Sequence, residues 1–209
     1  MPRVLTESDV AAFRERLCQV ATRCFAERGA AGVTLRALAH EAGCSRTTPY
    51  RYFRDKAEIL AAVRATGFER LAVALEEAAD KERDPAARLE ALGRTYLRFA
   101  RDESHAYRVM YEISQQDEHR YPELVKQIQR TQQPMLDTVD ACIRAGVIQG
   151  DPLDVTHVLW AALHGLNALY LADKLHLGRS FDALTDVMVR FLGRALSRRR
   201  PTRPPEKTL

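Results

Sequence analysis

The side chains best suited to specific chemistry lie within residues 33–60 of the 209-residue chain. There Arg46, Thr47 and Thr48 stand at the beginning of a short predicted helix, from which side chains can extend outward. An arginine can donate two hydrogen bonds to a guanine edge, and a threonine methyl can contact a thymine methyl. The pattern therefore indicates recognition of base edges in DNA.

Two short helices are predicted to position these side chains. Thr34 can cap the first, and Gly43 can end it in a left-handed conformation. The second is predicted over residues 46–53, after a turn at residues 43–45. This is the spacing of a helix-turn-helix, in which the first helix braces the second and the second enters the major groove.

Phosphate contacts are expected from the flanks of the same unit. Thr34 and Lys56 stand at helix N-termini, where backbone N–H groups and a cation can hold phosphate oxygens. Tyr50 and Arg51 are long enough to reach phosphates or bases. The complete predicted DNA-binding set is Thr34, Arg36, Ser45, Arg46, Thr47, Thr48, Tyr50, Arg51, Tyr52 and Lys56.

The rest of the chain also has helical periodicity, and the sequence predicts an all-α fold of about nine helices. Asp55 with Glu58 predicts the start of a long helix. Asp84 and Asp151, each followed by proline, predict two more helix starts.

Charge and composition divide the chain into three predicted parts. Residues 1–55 form a helix-turn-helix domain, residues 56–197 a helical effector-binding and dimerisation domain, and residues 198–209 a basic, proline-rich, disordered tail. Residues 1–56 hold 10 basic and 6 acidic side chains, whereas residues 57–193 hold 16 and 21. A basic head on a mildly acidic body is consistent with a head that binds a polyanion.

Composition also argues against several classes of protein. Apolar residues make up 46% of the chain, but no apolar run is long enough to span a bilayer, and no signal peptide is evident. We therefore expect a cytoplasmic location and no membrane partner. The four cysteines have no metal-binding spacing and are expected to be free thiols, so neither a metal nor a cofactor is predicted.

The helix-turn-helix resembles that of the TetR family of bacterial regulators. The resemblance covers about 50 residues and rests on Phe25, Gly29, Thr34, Ala39, Ala42-Gly43-Cys44-Ser45, Tyr50-Arg51-Tyr52-Phe53 and Lys56-Ala57-Glu58-Ile59-Leu60. Pro49 departs from the pattern, because the family more often has an aliphatic residue there. Proline fits only the first turn of a helix, so the predicted recognition helix begins no earlier than Ser45 or Arg46.

The resemblance implies a ligand-responsive repressor that binds a palindromic operator in double-stranded DNA as a homodimer. Trp160, His164 and Gly165 resemble a motif of one subgroup of the family. The interface is expected to contain Leu159, Leu163, Leu166, Tyr170, Leu184, Met188 and Phe191. The pocket for an unidentified apolar or aromatic effector is expected to contain Tyr96, Phe99, Tyr107, Met110, Tyr111, Met135, Trp160, His164 and Asn167.

Two alternatives stay open at this stage. A scaffold protein could keep the fold without operator binding, although the arginines and tyrosines of the head argue against it. A helical enzyme would need a nucleophile with its base or a cluster of metal ligands. His157 and His164 share one helix face without a third partner, so enzyme activity is not predicted.

Overall fold

The computed structural model describes residues 7–196, which form eight α-helices and two short 3-10 helices and contain no strand. The α-helices are α1 (Glu7–Arg28), α2 (Leu35–Glu41), α3 (Lys56–Asp80), α4 (Pro85–Asp102), α5 (Ser104–Tyr111), α6 (Pro122–Arg144), α7 (Pro152–Leu171) and α8 (Phe181–Leu196). The 3-10 helices are Pro49–Arg51 and Glu118–Arg120. The predicted all-α class is confirmed.

The helices form two compact units. Unit 1 holds the described part of Met1–Glu77 together with Thr95–Gln133, and unit 2 holds Ala78–Arg94 with the described part of Pro134–Leu209. Unit 1 thus combines the predicted head, residues 1–55, with part of the predicted second domain. The functional boundary at residue 55 stays a prediction, and the predicted tail, residues 198–209, lies outside the described residues.

Side-chain caps fix where several helices begin, as the sequence predicted. Thr34 Oγ1 accepts the N–H of Ala37 at 3.1 Å at the start of α2. Asp84 and Asp151 cap α4 and α7 in the same way, each followed by a proline at the first helical position. A cap of this kind typically stabilises a helix by about 1 kcal/mol.

The predicted α-helix over residues 46–53 is wrong. Residues 46–48 form turns, and only Pro49–Arg51 is helical, as a 3-10 turn. Pro49 lacks the N–H that would bond to the Ser45 carbonyl in an α-helix. The chain instead makes three-residue hydrogen bonds, from Thr48 N to Ser45 O at 3.0 Å and from Arg51 N to Thr48 O at 3.1 Å.

The core of unit 1 contains residues of the predicted head, residues 1–55, together with residues of α3 and α5. Phe25 and Phe53 are 0% and 2% exposed, and they belong to one cluster that also contains Val109 of α5. Residues of α1, α2 and α3 complete this cluster: Leu17, Ala21, Leu38, Ile59 and Val63. The head is therefore packed directly on α3 and α5 within this unit.

The core of unit 2 lies between α6 and α7. Val139, Cys142, Ile148, Val155 and Leu159 form its buried cluster. Arg94 at the end of the unit's α4 segment forms an ion pair with Asp186 of α8 at 2.5 Å. Among the described residues, none of the helices has both the length and the apolar character needed to cross a membrane.

Candidate nucleic-acid interface

The turn between α2 and the recognition segment is set by Gly43. Its φ of +64° is a left-handed conformation that favours glycine. Gly43 N donates to His40 O at 3.1 Å, and Cys44 N donates to Ala39 O at 2.9 Å. These two bonds form a Schellman motif, which ends α2 and turns the chain outward as the sequence predicted.

The recognition turn, which we define as residues 45–51, exposes most of the predicted base-reading side chains. Ser45, Arg46, Thr47, Tyr50 and Arg51 are all exposed, with Tyr50 at 60%. Thr48 is half-buried, and its hydroxyl is hydrogen-bonded to Ser45 Oγ at 2.8 Å. Thr34 and Arg36 of the preceding helix are also exposed.

The residues next to the exposed ones hold the recognition turn on the core. Pro49 is buried, and the Tyr52 ring stacks on Phe13 with centroids 4.4 Å apart. Arg14 of α1 donates to the Tyr52 carbonyl, and its guanidinium lies 4.1 Å from the centre of the Phe53 ring. Tyr52 therefore packs against α1, and a DNA contact through its hydroxyl stays a prediction.

Lys56 has a structural contact in addition to its predicted phosphate contact. Its Nζ donates to the Ala30 carbonyl at 2.6 Å and ties the start of α3 to the loop before α2. Beside it, Asp55 Oδ1 accepts Glu58 N at 2.8 Å, and Glu58 Oε2 accepts Arg54 N at 2.8 Å. Burial works to raise the pKa of Glu58, but the hydrogen bonds from Arg54 hold it below its usual value.

The charge around the recognition turn is positive, and of its arginines only Arg54 is paired, with Glu58 at 3.0 Å. Residues 42–54 contain three arginines and no acidic residue. The side chains of Arg46 and Arg51 form no hydrogen bond or ion pair within the described part of the chain. The preceding acid, Glu41, is paired with Arg28 at 3.0 Å, and this hydrogen bond lowers the pKa of Glu41. The arrangement can bind phosphate oxygens and still leave a guanidinium for a base edge.

The predicted effector residues fall into the two units. Unit 1 contains a buried aromatic cluster in which the Tyr96 and Tyr107 hydroxyls share a hydrogen bond of 2.9 Å. Tyr111 contacts both rings, and burial raises its pKa. Phe99 and Met110 are also buried, at 8% and 1% exposed. These five residues are available to a ligand only where the packing opens.

The other four predicted effector residues belong to unit 2. Met135 lines a small cavity of about 90 Å³. Trp160 is exposed, and His164 lies beside it with ring centroids 5.8 Å apart. Asn167 is fully buried, and neither atom of its amide has a hydrogen-bond partner. A buried, unpartnered amide is costly, so Asn167 is the member of this group best suited to receive a polar ligand atom.

The predicted interface residues need a correction. Leu159, Leu163 and Leu166 are 4%, 3% and 5% exposed within their own chain, so their side chains are not available to a partner. Tyr170 packs on Phe181 at 4.3 Å, and Leu184 and Met188 are half-buried. Of the predicted set, only Phe191 is largely exposed, at 67%.

Sequence reasoning missed the apolar residues that are exposed beside those leucines. Val158 of α7 is 57% exposed, and Val187 of α8 is 52% exposed. Their helical spacing was visible, but α7 is apolar on nearly every face, so periodicity could not separate core from surface. Arg14 was also missed. It contacts the Tyr52 carbonyl 38 residues further along the chain, and a contact over that separation leaves no local signal in the sequence.

Two family models match the chain. Residues 17–63 match the model for bacterial regulatory proteins of the tetR family, and residues 89–192 match a tetracyclin repressor-like C-terminal domain. The first match contains α2, the Gly43 turn and the recognition turn. The second contains the described α7 motif around Trp160.

Solved structures agree with the family models in fold. A protein of unknown function from Rhodococcus sp. RHA1 is 27% identical, with a TM-score of 0.77, over 95% of this chain and 100% of that one. A tetR family regulatory protein from Rhodococcus RHA1 is 17% identical, with a TM-score of 0.75, over 88% and 97%. The regulator FadR from Bacillus subtilis, solved with stearoyl-CoA, is 15% identical, with a TM-score of 0.73, over 85% and 96%.

Proposed function

The chain belongs to the TetR family of DNA-binding transcriptional regulators, and from this premise we propose that it is an effector-responsive homodimer that binds a palindromic operator. The single observation that supports operator binding best is the recognition turn itself. It presents Arg46 and Arg51 unpaired, on a rigid support and without a neighbouring acid.

Within this proposal, some residues of the head contact base edges and others contact phosphates. Arg46 and Thr47 contact base edges, because they precede the 3-10 helix and are exposed. Tyr50, Arg51 and Thr34 contact phosphates and fix the position of the head on the duplex. Because the turn is shorter than an α-helix, each head contacts only a few base pairs, and a second copy is needed for a specific site.

Homodimerisation is proposed through unit 2. Val158, Leu169, Val187 and Phe191 expose large apolar side chains on α7 and α8. Exposed apolar side chains gathered on neighbouring helices are typical of a protein–protein contact. A two-fold axis at this face would relate the two heads, and an operator that matches them is a palindrome.

The effector is proposed to act on the second domain. FadR from Bacillus subtilis holds stearoyl-CoA, which makes a ligand with a long apolar part a reasonable candidate for this chain. Asn167 supports the proposal because its buried amide lacks a partner. A ligand that binds better to the conformation with low DNA affinity shifts the population toward it. DNA affinity then falls by at most the ratio of the ligand's affinities for the two conformations. We propose no enzymatic activity and a cytoplasmic location.

A DNA titration tests the proposal. We expect the protein to bind random-sequence DNA more weakly as salt rises, because bound phosphates release counterions. Sequences selected from random DNA should contain an inverted repeat. Tyr50→Ala should weaken binding to all sequences, whereas Arg46→Ala should relax the preference at one or two positions, by about 1–3 kcal/mol.

Controls separate the alternatives. Arg179→Ala removes an exposed arginine from the loop between α7 and α8 and should change neither affinity nor preference. Phe191→Asp should give monomers in sedimentation and lose the inverted repeat. Absence of DNA binding at low salt would favour a scaffold protein that keeps the fold.

A further inference from the structure

Unit 1 contains a groove that the proposed function does not use. Its volume is about 840 Å³, and it is bounded by α1, α3, α5 and the first turns of α6. The α3 side has small side chains, Ala61, Ala62 and Ala65, which leave space between α1 and α6. A volume of this size is in the range of small-molecule sites.

The five arginines that line the groove are all engaged by the protein. Their acceptors are the Tyr52 carbonyl for Arg14, Glu41 for Arg23, Glu58 for Arg54, Glu103 for Arg70 and Asp117 for Arg120. The four ion pairs measure between 3.0 and 3.6 Å. Each guanidinium in the groove therefore already faces an acceptor of the protein, which weakens its attraction for an incoming anion.

Two side chains of the groove carry hydrogen-bond acceptors that no donor of the described residues uses. Gln127 lines it and is only 3% exposed. Its Nε2 donates to Glu123 Oε1 at 2.7 Å, which fixes the orientation of the amide, and its Oε1 accepts no hydrogen bond. Glu69 also lines the groove, and its carboxylate makes no hydrogen bond or ion pair with the described residues. Its charge acts on the nearby Arg130, but its carboxylate oxygens have no hydrogen-bond donor.

From this imbalance we propose that the groove binds a small organic cation with ammonium groups. The ammonium donates to Gln127 Oε1 and is attracted by the Glu69 carboxylate, while its methylene groups lie along the alanines of α3. An ammonium has three donors and no acceptor, so it complements a site whose unused groups are acceptors. Burial of Gln127 makes its contribution larger than that of an exposed acceptor.

Such a site goes beyond the proposed function, because its existence does not depend on DNA binding. A cation in the groove would contact α3 and the first turns of α6, and the same groove is bounded by α1, which supports the recognition turn through Arg14. Only the effect of the cation on DNA affinity would rest on the proposed function. The binding itself is measured without DNA.

Calorimetric titration of the full chain with 1,4-diaminobutane, at about 0.15 M salt, tests the site. Succinate and 1,4-butanediol serve as the anionic and neutral probes of the same length. We expect heat of binding for the diamine alone. Glu69→Gln should weaken the binding about two- to fivefold, as for an exposed ion pair. Gln127→Met should weaken it about tenfold or more, as for a hydrogen bond to a charged group.

Glu77→Gln is the matched control, since Glu77 is an exposed glutamate of the same helix outside the groove. It should bind the diamine as the unchanged protein does. Gln127→Met removes a buried oxygen without a partner and also the Nε2 donor to Glu123, so a single cooperative melting transition of this variant is required to exclude misfolding. Absence of diamine binding, binding of succinate instead, or equal weakening by all three substitutions would overturn the proposal. Loss of DNA binding with an intact diamine titration would count against the proposed function alone.

Discussion

Two surfaces of unit 1 are rich in arginine, and they make different groups available to a partner. In the recognition turn, Arg46 and Arg51 are exposed and unpaired. In the groove, every lining arginine is bound to an acceptor of the protein. The groove therefore contains more arginines than the recognition turn, although fewer of them are unpaired.

The difference teaches that the state of pairing, more than composition, decides which partner a surface binds. A paired arginine has already lost part of its hydration and directs its donors at a carboxylate, so it has little to offer a phosphate. An unpaired arginine that has no acidic neighbour can attract a phosphate electrostatically and can donate all of its N–H groups to it. The same side chain thus serves DNA binding in one place and folding in the other.

Reversing the charge of the free arginines should have the largest effect. We expect the double variant Arg46→Glu with Arg51→Glu to lose about 3–4 kcal/mol of DNA-binding free energy, about 10²- to 10³-fold in affinity. The reason is loss of direct contacts together with repulsion of phosphates. Fluorescence anisotropy with a selected operator measures the effect.

A matched double variant in the groove tests whether net charge alone explains this loss. Arg70→Glu with Arg120→Glu changes the total charge by the same amount, at arginines that are already paired. Its affinity for DNA should fall less than about threefold, because both arginines are already paired with carboxylates of the protein. Equal losses in the two double variants would break the comparison.

Substitution of a paired arginine should lower the stability of the fold more than it lowers the affinity for DNA. Arg14→Met removes the donor to the Tyr52 carbonyl and the cation over the Phe53 ring. We expect the free energy of unfolding, measured in urea, to fall by about 2 kcal/mol. Arg16→Met is the control, because Arg16 is exposed and lies 5.6 Å from the centre of the Phe13 ring. Equal losses for the two substitutions would contradict a supporting role for Arg14.

Local signals in the sequence were sufficient for most of the fold. Caps such as Thr34 and Asp151, and the left-handed Gly43, act over three or four residues and can be recognised without tertiary structure. The α-helix expected over residues 46–53 failed for a local reason as well. Pro49 was noticed, but the loss of its N–H in so short a segment favours a 3-10 turn over an α-helix.

The predicted site residues depended more on tertiary packing. Exposed Arg46, Thr47, Tyr50 and Arg51 could be predicted because the motif fixes their place on a turn. The apolar face of α7 could not, since both Leu159 and its neighbour Val158 are apolar and only packing decides which is buried. The groove was not predicted because its arginines and its unpaired acceptors come from helices far apart in sequence.

The smaller of the two expected effects on stability concerns Glu58, which lines the groove and binds Arg54 of the head. Its pKa is held below the usual glutamate value, so its charge adds stability above that value. This stability is lost as the pH falls through the lowered pKa, below the ordinary titration range of a glutamate. Glu58→Gln keeps the acceptor and removes the charge, so it should cost about 1 kcal/mol at pH 7.

Urea unfolding at pH 7 and near pH 3 tests this sign. The difference between the unchanged protein and Glu58→Gln should shrink as the pH is lowered and Glu58 becomes protonated, because both proteins then carry a neutral side chain. Other carboxyl groups titrate in both proteins, so their effects cancel in the difference. Glu77→Gln, at an exposed position, should show no difference at either pH. A loss for Glu58→Gln that does not shrink as the pH is lowered would mean that the hydrogen-bond geometry, and not the charge, of Glu58 stabilises its contact with Arg54.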